Sequence, residues 1–347
     1  MLNSLTQQLG ASQSLAETQV REAVELLVNG SVPASAKADF LSALARKGET
    51  VEEIAAFAGA LREKSVTPPL NGPWRDSREI LDVCGTGGDQ LGTFNISTTV
   101  AFVCAAAGVA VAKHGNRAIT SRAGSADVLE ALGMRIDLSP VDAAQSLRDH
   151  NFAFFFAPSF HPAFKHITPA RKLCAERGQR TIFNFLGPLL NPARPTAQLI
   201  GVPRPELCEP IARVLQSLGV RRGMVVCGNV SGGVTLDELS TLGGNTVAEF
   251  YQERGFTAST FDASQLPLQP ATLADLRGGD RETNAEILRA ILRGEARGPK
   301  RDAVLLNAGA ALLVAGRARS IAEGWELALE VIESGRAFAK LQELTAR

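Results

Sequence analysis

The sequence lacks an excess of charge of either sign, because its 36 basic side chains balance 36 acidic ones. A protein that binds nucleic acid through its phosphates normally carries a basic excess or a basic stripe. The balance therefore argues against a nucleic-acid polymer as the partner. It is compatible with a small anion, which a few locally placed cations and main-chain amides can bind.

Cysteine is sparse and scattered. No two cysteines form a C-x-x-C pair, and none has the Cys/His spacing of a metal site, which predicts reduced, buried thiols in a cytoplasmic protein. No charged segment followed by an apolar one begins the chain, so we expect no secretory signal. The most apolar stretch, residues 100–112, is too short to span a bilayer, so we expect no membrane association. The five cysteines are Cys84, Cys104, Cys174, Cys208 and Cys227.

The chain is longer, at 347 residues, than one hydrophobic core usually supports, so we expect about two domains. Residues 1–66 show helical periodicity, and Thr50 with Glu53 forms a capping box there. Several prolines in residues 67–73 forbid helix continuation and predict a hinge. Residues 1–66 are therefore predicted to be a small helical domain and residues 74–347 a large domain.

Short apolar runs of strand length follow the hinge and alternate with helical segments. This alternation predicts an α/β fold with a mostly parallel central sheet flanked by helices. Ligands of such sheets bind at the carboxyl ends of the strands. The main helices are predicted at residues 97–107 and 126–132, with an amphipathic helix pair at 320–344. The strands are predicted at residues 79–84, 109–113, 152–156, 199–202, 224–227 and 303–306.

The first predicted strand runs directly into a glycine loop, Gly85-Thr-Gly-Gly88-Asp89. Glycines let main-chain amides converge on an anion, and the helix start at Asn95-Ile-Ser97-Thr98 adds unpaired amides and a positive dipole end. The pattern is neither a dinucleotide fingerprint nor a P-loop, because no third glycine enters the helix and no Gly-Lys-Ser/Thr follows. Taken alone, it is equally typical of a tight turn with an ordinary helix cap.

A cationic cluster, Lys113-His-Gly-Asn-Arg117, follows the next predicted strand. At a strand end it would supply charged donors beside the glycine loop. By itself such a cluster is usually a solvated loop, and a structural role for His114 is an open alternative. Ser125 is then predicted to cap the helix at 126–132.

Together these motifs resemble the anthranilate phosphoribosyltransferase family. The likeness covers nearly the whole chain, and several motifs are too long for chance agreement. It implies a fold of the nucleoside phosphorylase/phosphoribosyltransferase type, in which part of residues 165–195 joins the helical domain. Further motifs in family order are Lys47-Gly-Glu-Thr50, His161-Pro-Ala163, Arg180-Thr-Ile-Phe-Asn-Phe-Leu-Gly-Pro188, Leu236-Asp-Glu238 and Leu306-Asn-Ala308.

The resemblance implies transfer of the phosphoribosyl group of 5-phosphoribosyl 1-pyrophosphate (PRPP) to the amine of anthranilate, in tryptophan biosynthesis. PRPP would lie over the glycine loop, and the loop after the second strand would close round its phosphates and ribose. The residues implied in PRPP binding are Gly85, Gly88, Asp89, Thr93, Asn95, Ile96, Ser97, Thr98, Lys113, His114, Gly115, Asn116, Arg117, Ala118, Ile119, Thr120, Ser121 and Ser125.

The family match also assigns a metal site to Asp237 and Glu238, with the Ser97 hydroxyl as a further ligand. Two magnesium ions per subunit are expected. Adjacent carboxylates in a turn can bind hard cations, and magnesium would neutralise charge that builds on the departing pyrophosphate. An isolated Asp-Glu pair would ordinarily be expected to be exposed to solvent.

The anthranilate site is implied to comprise Gly85, Asn116, Arg171 and His161. A guanidinium can hold a carboxylate through two parallel hydrogen bonds, which suits Arg171. Without the family, a surface arginine would be the simpler interpretation. No residue is assigned as general base, because an arylamine that has begun to bond to ribose is itself strongly acidic.

Two features depart from the family pattern. Ala123 stands where many relatives have a serine, which removes a hydroxyl. Residues 227–235 replace a shorter, histidine-containing approach to Asp237, so their extra length bears on the magnesium geometry.

Two other functions compete with the transferase. A pyrimidine nucleoside phosphorylase shares the fold but gives no reason for Arg171 or for Asp237 and Glu238. A non-enzymatic relative that binds nucleic acid is disfavoured by the zero net charge. The resemblance further implies a homodimer joined through the helical domain.

Overall fold

The computed structural model describes residues 2–118, 122–230, 232–252 and 255–346. The helices, in chain order, are α1 (Leu2–Gly10), α2 (Glu17–Val28), α3 (Ala34–Lys47), α4 (Val51–Glu63), α5 (Pro73–Asp76), α6 (Ile96–Ala106), α7 (Ser125–Ala131), α8 (Pro140–His150), α9 (Ala157–Phe160), α10 (Thr168–Glu176), α11 (Phe183–Leu186), α12 (Cys208–Ser217), α13 (Arg281–Leu292), α14 (Pro299–Val314), α15 (Ile321–Glu333) and α16 (Arg336–Thr345). Within the described ranges, no helix combines the length and the apolar character that a membrane crossing requires.

The strands of the described residues form one mixed sheet in the order β3-β2-β1-β4-β5-β7-β8, with β6 paired to β5. The pairs from β3 through β5 are parallel, whereas β6, β7 and β8 are added antiparallel. The strands are β1 (Ile80–Gly85), β2 (Ala110–Gly115), β3 (Phe152–Phe156), β4 (Ala197–Gly201), β5 (Arg222–Val230), β6 (Val234–Leu236), β7 (Asn245–Tyr251) and β8 (Gly255–Phe261).

Helices α1 to α4 form an N-terminal helical domain, and α4 begins with the predicted capping box. There Thr50 Oγ1 accepts the Glu53 amide, and the Glu53 carboxylate accepts the Thr50 amide. Helix α10 packs against α3, and Ile167 and Cys174 share an apolar core with Phe57. The helical domain therefore gains part of its core from the middle of the chain.

The two faces of the sheet are buried differently. Helices α6 and α14 cover one face, where Leu81 and Val83 of β1 join the largest core. The alternate positions of a strand point to the other face. There Cys84 packs with the apolar residues of the helical domain, so β1 lies between the two parts of the molecule.

The predicted fold class is confirmed. The strand expected at 152–156 is present with those bounds, and the strands expected at 79–84, 109–113, 199–202 and 224–227 are present with shifted ends. The strand expected at 303–306 is wrong, because these residues lie inside α14. Helix α14 is buried almost all round, so its sequence lacks a polar face and its apolar run could not be told from a strand. Strands β6, β7 and β8 were not predicted.

The expected capping role of Ser125 is also wrong. Ser125 is the first residue of α7, and Gly124 occupies the N-cap position. Asp127 supplies the side-chain acceptor instead, taking the Gly124 amide at 2.9 Å and the Ala118 amide at 2.9 Å. The carboxylate thus ties the helix start to the loop that follows β2.

Candidate active site

The candidate site lies where β1, β2 and β4 end. These strands are neighbours and finish at Gly85, Gly115 and Gly201. The glycine loop leaves β1 beside β4, since the Thr86 amide donates to the Gly201 carbonyl at 3.0 Å. The carboxyl edge of a parallel sheet is the usual place for a ligand.

Two glycines are required here because the backbone of Asp237 lies against them. A Cβ on Gly201 would stand 1.6 Å from the Asp237 carbonyl oxygen, and one on Gly85 would stand 2.7 Å from Asp237 Oδ2. Real Cβ atoms do not approach other atoms so closely. The glycine at the end of each strand therefore lets the segment after β6 enter the site.

Asp237 is bonded into the glycine loop. Its Oδ2 accepts the Gly87 amide at 2.6 Å, and its own amide donates to Asp89 Oδ2 at 3.3 Å. Asp237 and Glu238 are 7% and 8% exposed, so they are not the solvated pair that an isolated Asp-Glu dipeptide would suggest. Burial and the neighbouring Asp89 raise the pKa of Asp237 well above its ordinary value.

Lys113 supplies the nearest buried cation. Its Nζ donates to the Val83 carbonyl at 2.8 Å and to Ser97 Oγ at 3.3 Å. Burial lowers the pKa of Lys113, and the carboxyls of Asp82 and Glu238 oppose that effect. Burial raises the pKa of Glu238 to about 8, against the influence of Lys113 and the Ser97 amide. Ser97, Lys113 and Glu238 therefore form one electrostatic unit.

The donor set fits a magnesium ion. This hard cation prefers oxygen ligands. The neighbouring carboxyls of Asp237 and Glu238 supply them, within the electrostatic influence of Asp89. The raised pKa values of Asp237 and Glu238 are the result expected for buried carboxyls that lack a compensating cation. In the described residues, no group of three or more His, Cys, Asp and Glu side chains is arranged closely enough to hold a metal alone.

The start of α6 presents polar groups to the same edge. Asn95 precedes the helix, and its side chain donates to the Ala123 carbonyl at 3.3 Å and accepts from Asn284 at 2.9 Å. Thr98 is fully buried, and its Oγ1 has no hydrogen-bond partner among the described residues. Such an orphaned hydroxyl is expected where a ligand is to be bound.

The remaining residues of the expected PRPP set flank this cradle. Gly88 packs against Pro203, Ile96 is buried, and Thr93 forms a single bridge with Arg277. Ala123 stands where many relatives have a serine, and its main-chain carbonyl accepts a hydrogen bond from Asn95.

The loop after β2 is only partly described. Asn116 is exposed, and its carbonyl accepts the Ala126 amide at 3.3 Å. Arg117 is engaged away from the cradle, in ion pairs with Asp127 and Glu130 of α7. Ile119, Thr120 and Ser121 lie outside the described residues.

His114 and His161 lie on the opposite side of β2, facing the helical domain. Their ring centroids are 5.2 Å apart, and His114 Nδ1 lies 3.2 Å from the Gly187 carbonyl. Burial lowers the pKa of His114 to about 3 and that of His161 to about 4, so both rings are neutral near pH 7. The ring of Phe164 stacks on His161 at 5.1 Å.

Arg171 approaches this aromatic group from α10. Its guanidinium lies 5.3 Å from the ring centre of Phe183, which in turn packs edge-on against Phe164. Burial lowers the pKa of Arg171, and within the described chain it forms no ion pair with a carboxylate. A half-buried guanidinium beside aromatic rings is suited to an aromatic carboxylate.

The lengthened segment at residues 227–235 is a hairpin rather than a loop. Gly228, Asn229 and Val230 of β5 pair with Leu236, Thr235 and Val234 of β6. Residue 231 lies outside the described ranges. The added residues are therefore absorbed by regular pairing, and Asp237 follows directly after the last paired residue.

Sequence reasoning assigned no role to several buried polar residues near the site. Asp82 and Asn191 are 0% exposed and hydrogen-bonded to each other at 2.9 Å, and Arg62 donates to the Leu189 carbonyl at 2.5 Å. An aspartate inside the apolar run 80–84 was the available signal, because a buried charge in a strand requires partners.

Known proteins resemble this chain over its whole length. Residues 3–65 match the helical bundle domain of the glycosyl transferase family, and residues 77–338 match its a/b domain. The anthranilate phosphoribosyltransferase of Petrotoga mobilis is 46% identical over 344 residues, covering 99% of this chain and 96% of its own.

Solved structures agree with that assignment. The anthranilate phosphoribosyltransferase of Thermus thermophilus superposes with a TM-score of 0.88 at 42% identity, covering 99% of this chain and 98% of that one. The enzyme of Saccharomyces cerevisiae, solved in complex with PRPP and Mg, superposes with a TM-score of 0.86 at 28% identity over 99% and 97%. These findings confirm the resemblance drawn from the motifs, and the chain belongs to the anthranilate phosphoribosyltransferase family.

Proposed function

We propose that this protein transfers the phosphoribosyl group of PRPP to the amine of anthranilate, giving N-(5-phosphoribosyl)anthranilate and pyrophosphate in tryptophan biosynthesis. One observation carries the proposal: the buried carboxyls of Asp237 and Glu238 stand inside a cradle of main-chain amides. An amide cradle selects an anion, while crowded carboxyls select a cation. A pyrophosphate bound with a divalent metal satisfies both.

PRPP would lie over the glycine loop. Main-chain amides of the loop and of the α6 N-terminus would hold its phosphates, and Thr98 Oγ1 and Lys113 Nζ are further donors. Arg117 would shape the loop through Asp127 and Glu130 rather than supply a free charge. The roles of Ile119, Thr120 and Ser121 stay predictions.

We assign the metal to Asp237 and Glu238, with Ser97 as a further ligand and two magnesium ions per subunit. Bound magnesium would neutralise charge on the departing pyrophosphate. The yeast relative solved with PRPP and Mg supports the choice of metal. In this chain, Asp89 adds a third carboxyl, through its bond to the Asp237 amide.

Anthranilate would bind between the end of β2 and α10. Arg171 is the candidate partner of its carboxylate, because its guanidinium is half-buried, lies over Phe183 and has no ion pair in the described residues. Asn116, Gly85 and His161 would border the ring and the amine. His114 and His161 are neutral near pH 7, and their lowered pKa values make both rings weak bases for the proton that the amine must lose.

Holding both substrates in line accounts for the reaction in this proposal. Orientation of two bound reactants and stabilisation of the leaving group can supply most of the rate enhancement. Lys113 contributes a positive charge near Glu238, and both side chains are buried. No general base is assigned.

We further propose residues 1–66 with part of 165–195 as the helical domain, 67–73 as the hinge and 74–347 as the large domain. The core shared by α1 to α4 with Ile167 and Cys174 supports the first assignment. A homodimer joined through the helical domain and a cytoplasmic location complete the proposal.

The test is a fluorescence assay with the full chain. Anthranilate fluorescence should fall only when PRPP and magnesium are both present, and each omission is the matched control. Persistence of the signal in the complete mixture would reject the proposed reaction. Loss without PRPP would show a different reaction of anthranilate.

A further inference from the structure

Asp82 is a fully buried carboxyl in the middle of β1. Its neighbours Leu81 and Val83 point into the main core, so Asp82 faces the opposite side of the sheet, where His114 and Gln198 also lie. A buried carboxylate is costly unless it is hydrogen-bonded and balanced by charge. Its partners therefore indicate what it does.

Both oxygens of Asp82 accept hydrogen bonds. Oδ2 accepts from Asn191 Nδ2 at 2.9 Å, and Oδ1 accepts the main-chain amide of His114 at 3.3 Å. Asn191 Nδ2 also donates to the Ala112 carbonyl at 2.7 Å, and its Oδ1 accepts the Ala193 amide at 2.9 Å. The pair thus joins β1, the end of β2 and the segment that ends at Asn191.

That segment borders the proposed anthranilate site. Gly187 contacts the His114 ring, and the Pro188 carbonyl accepts from Gln198 at 3.0 Å. The Leu189 carbonyl accepts from Arg62 of α4, so the segment is also held by the helical domain. Burial raises the pKa of Asp82 to about 6, and Lys113, Asn191 and the His114 amide oppose that effect.

We infer that Asp82 and Asn191 form a positioning pair for the anthranilate half of the site, holding the end of β2, which carries His114 and Asn116, against residues 187–191. The inference rests on the proposed function. The pair acts through His114 and Gly187, and among the described residues it forms no hydrogen bond with residues 85–89 of the glycine loop by which PRPP would be held. That loop has its own supports, in the Gly201 and Asp237 bonds.

Because different contacts hold the two halves of the site, we expect a change at Asp82 to affect the Michaelis constants for anthranilate and PRPP unequally. Asp82→Asn replaces one carboxylate oxygen by an NH₂ group. Depending on the orientation of the amide, this NH₂ group faces either the Asn191 Nδ2 donor or the His114 main-chain donor. The Michaelis constant for anthranilate should rise by about tenfold or more, the cost of a lost bond to a charged group. The constant for PRPP should rise less than that for anthranilate, because Asp82 acts on the PRPP half of the site only through the charge of Lys113.

Rescue distinguishes this pairing from a merely structural role. Asn191→Asp alone sets two carboxylates together and should also raise the KM for anthranilate. The double variant Asp82→Asn with Asn191→Asp reverses donor and acceptor between the two side chains and conserves charge. It should therefore recover part of that loss, although the Ala112 carbonyl loses the donor that it has in Asn191. Asp302→Asn is the matched control, since Asp302 is another buried carboxyl that accepts one amide, from Gln269. It should leave both constants unchanged.

Steady-state kinetics of the four full-length variants decide the matter, with thermal melts to establish folding. Equal rises in both Michaelis constants, or a double variant no better than the singles, would overturn the inference. If the single variants do not fold, the double variant is compared with the wild type, and equal rises in the Michaelis constants for anthranilate and PRPP overturn the pairing. A wild-type chain that consumes no anthranilate would instead reject the proposed function.

Discussion

The carbonyl oxygen of Asp237 occupies the space into which a side chain at Gly201 would project, with 1.6 Å to an added Cβ. The last residue of β4 therefore determines how closely the acidic segment approaches the glycine loop. The relationship joins the end of β4 to the residue that follows β6, and the Asp237 carboxylate lies 2.6 Å from the Gly87 amide.

Gly201→Ala should displace Asp237 and lower kcat/KM by about 10²-fold, because misplacement of a site group by about 1 Å has effects of this size. Steady-state assays with both substrates measure it. Gly59→Ala is the matched control, since Gly59 lies in α4 with no atom near an added Cβ. It should keep full activity and stabilise the fold by about 0.5–1 kcal/mol. Wild-type kcat/KM in Gly201→Ala would show that the close approach is not needed.

Arg171→Ala should raise the KM for anthranilate at least about tenfold, because it removes a charged, two-pronged partner of the carboxylate. The KM for PRPP should not change. Arg177→Ala is the control, since Arg177 is an exposed arginine at the end of the same helix, paired with Asp39. An unchanged KM for anthranilate in Arg171→Ala would refute the carboxylate assignment.

Asp237→Asn with Glu238→Gln should abolish the stimulation by magnesium, because neutral amide oxygens are poorer ligands of this cation than carboxylates. Calorimetric titration with PRPP, with and without magnesium, checks binding separately from turnover. Glu209→Gln removes a carboxylate on the exposed face of α12 and should leave the magnesium response intact. If the double variant retained the full metal response, the ligands would have to be sought elsewhere.

His161 should make the protein less stable in acid. Its pKa in the folded state is about 4, below the ordinary value of 6.5, so the unfolded chain takes up the proton first. The stability contributed by neutral His161 is therefore present above pH 6.5 and is lost as the pH falls towards 4. At pH 5 the loss is about 2 kcal/mol as an upper value.

Urea unfolding of the wild type and of His161→Phe between pH 4 and pH 7 tests this dependence. Phenylalanine keeps a ring against His114 and Phe164, so the variant should lose less stability on acidification. Parallel stability curves for the two proteins would contradict the prediction. The difference between the curves removes the contribution of Asp82, whose raised pKa acts in the opposite direction.

Interactions between residues close in the sequence were sufficient to predict much of the fold and the approximate position of the site. Thr50 and Glu53 predict the start of α4, because a capping box depends only on residues that are close in the sequence. Residues 85–89 predict an anion-binding loop, because the conformational freedom of glycine and the position of a helix N-terminus are both local properties of the sequence. Alternating apolar runs likewise identified the parallel strands that end at this loop.

Contacts between distant parts of the chain decided the rest. The burial of Asp237 and Glu238 depends on Gly85 and Gly201, and the bond from Asp82 to Asn191 crosses 109 positions. The helix at residues 303–306 could not be recognised from the sequence, because α14 is buried on nearly every side and therefore shows no alternation of polar and apolar faces. Composition and periodicity describe what each segment prefers, whereas hydrogen-bond partners, burial and pKa arise only when the folded chain brings segments together and excludes water between them.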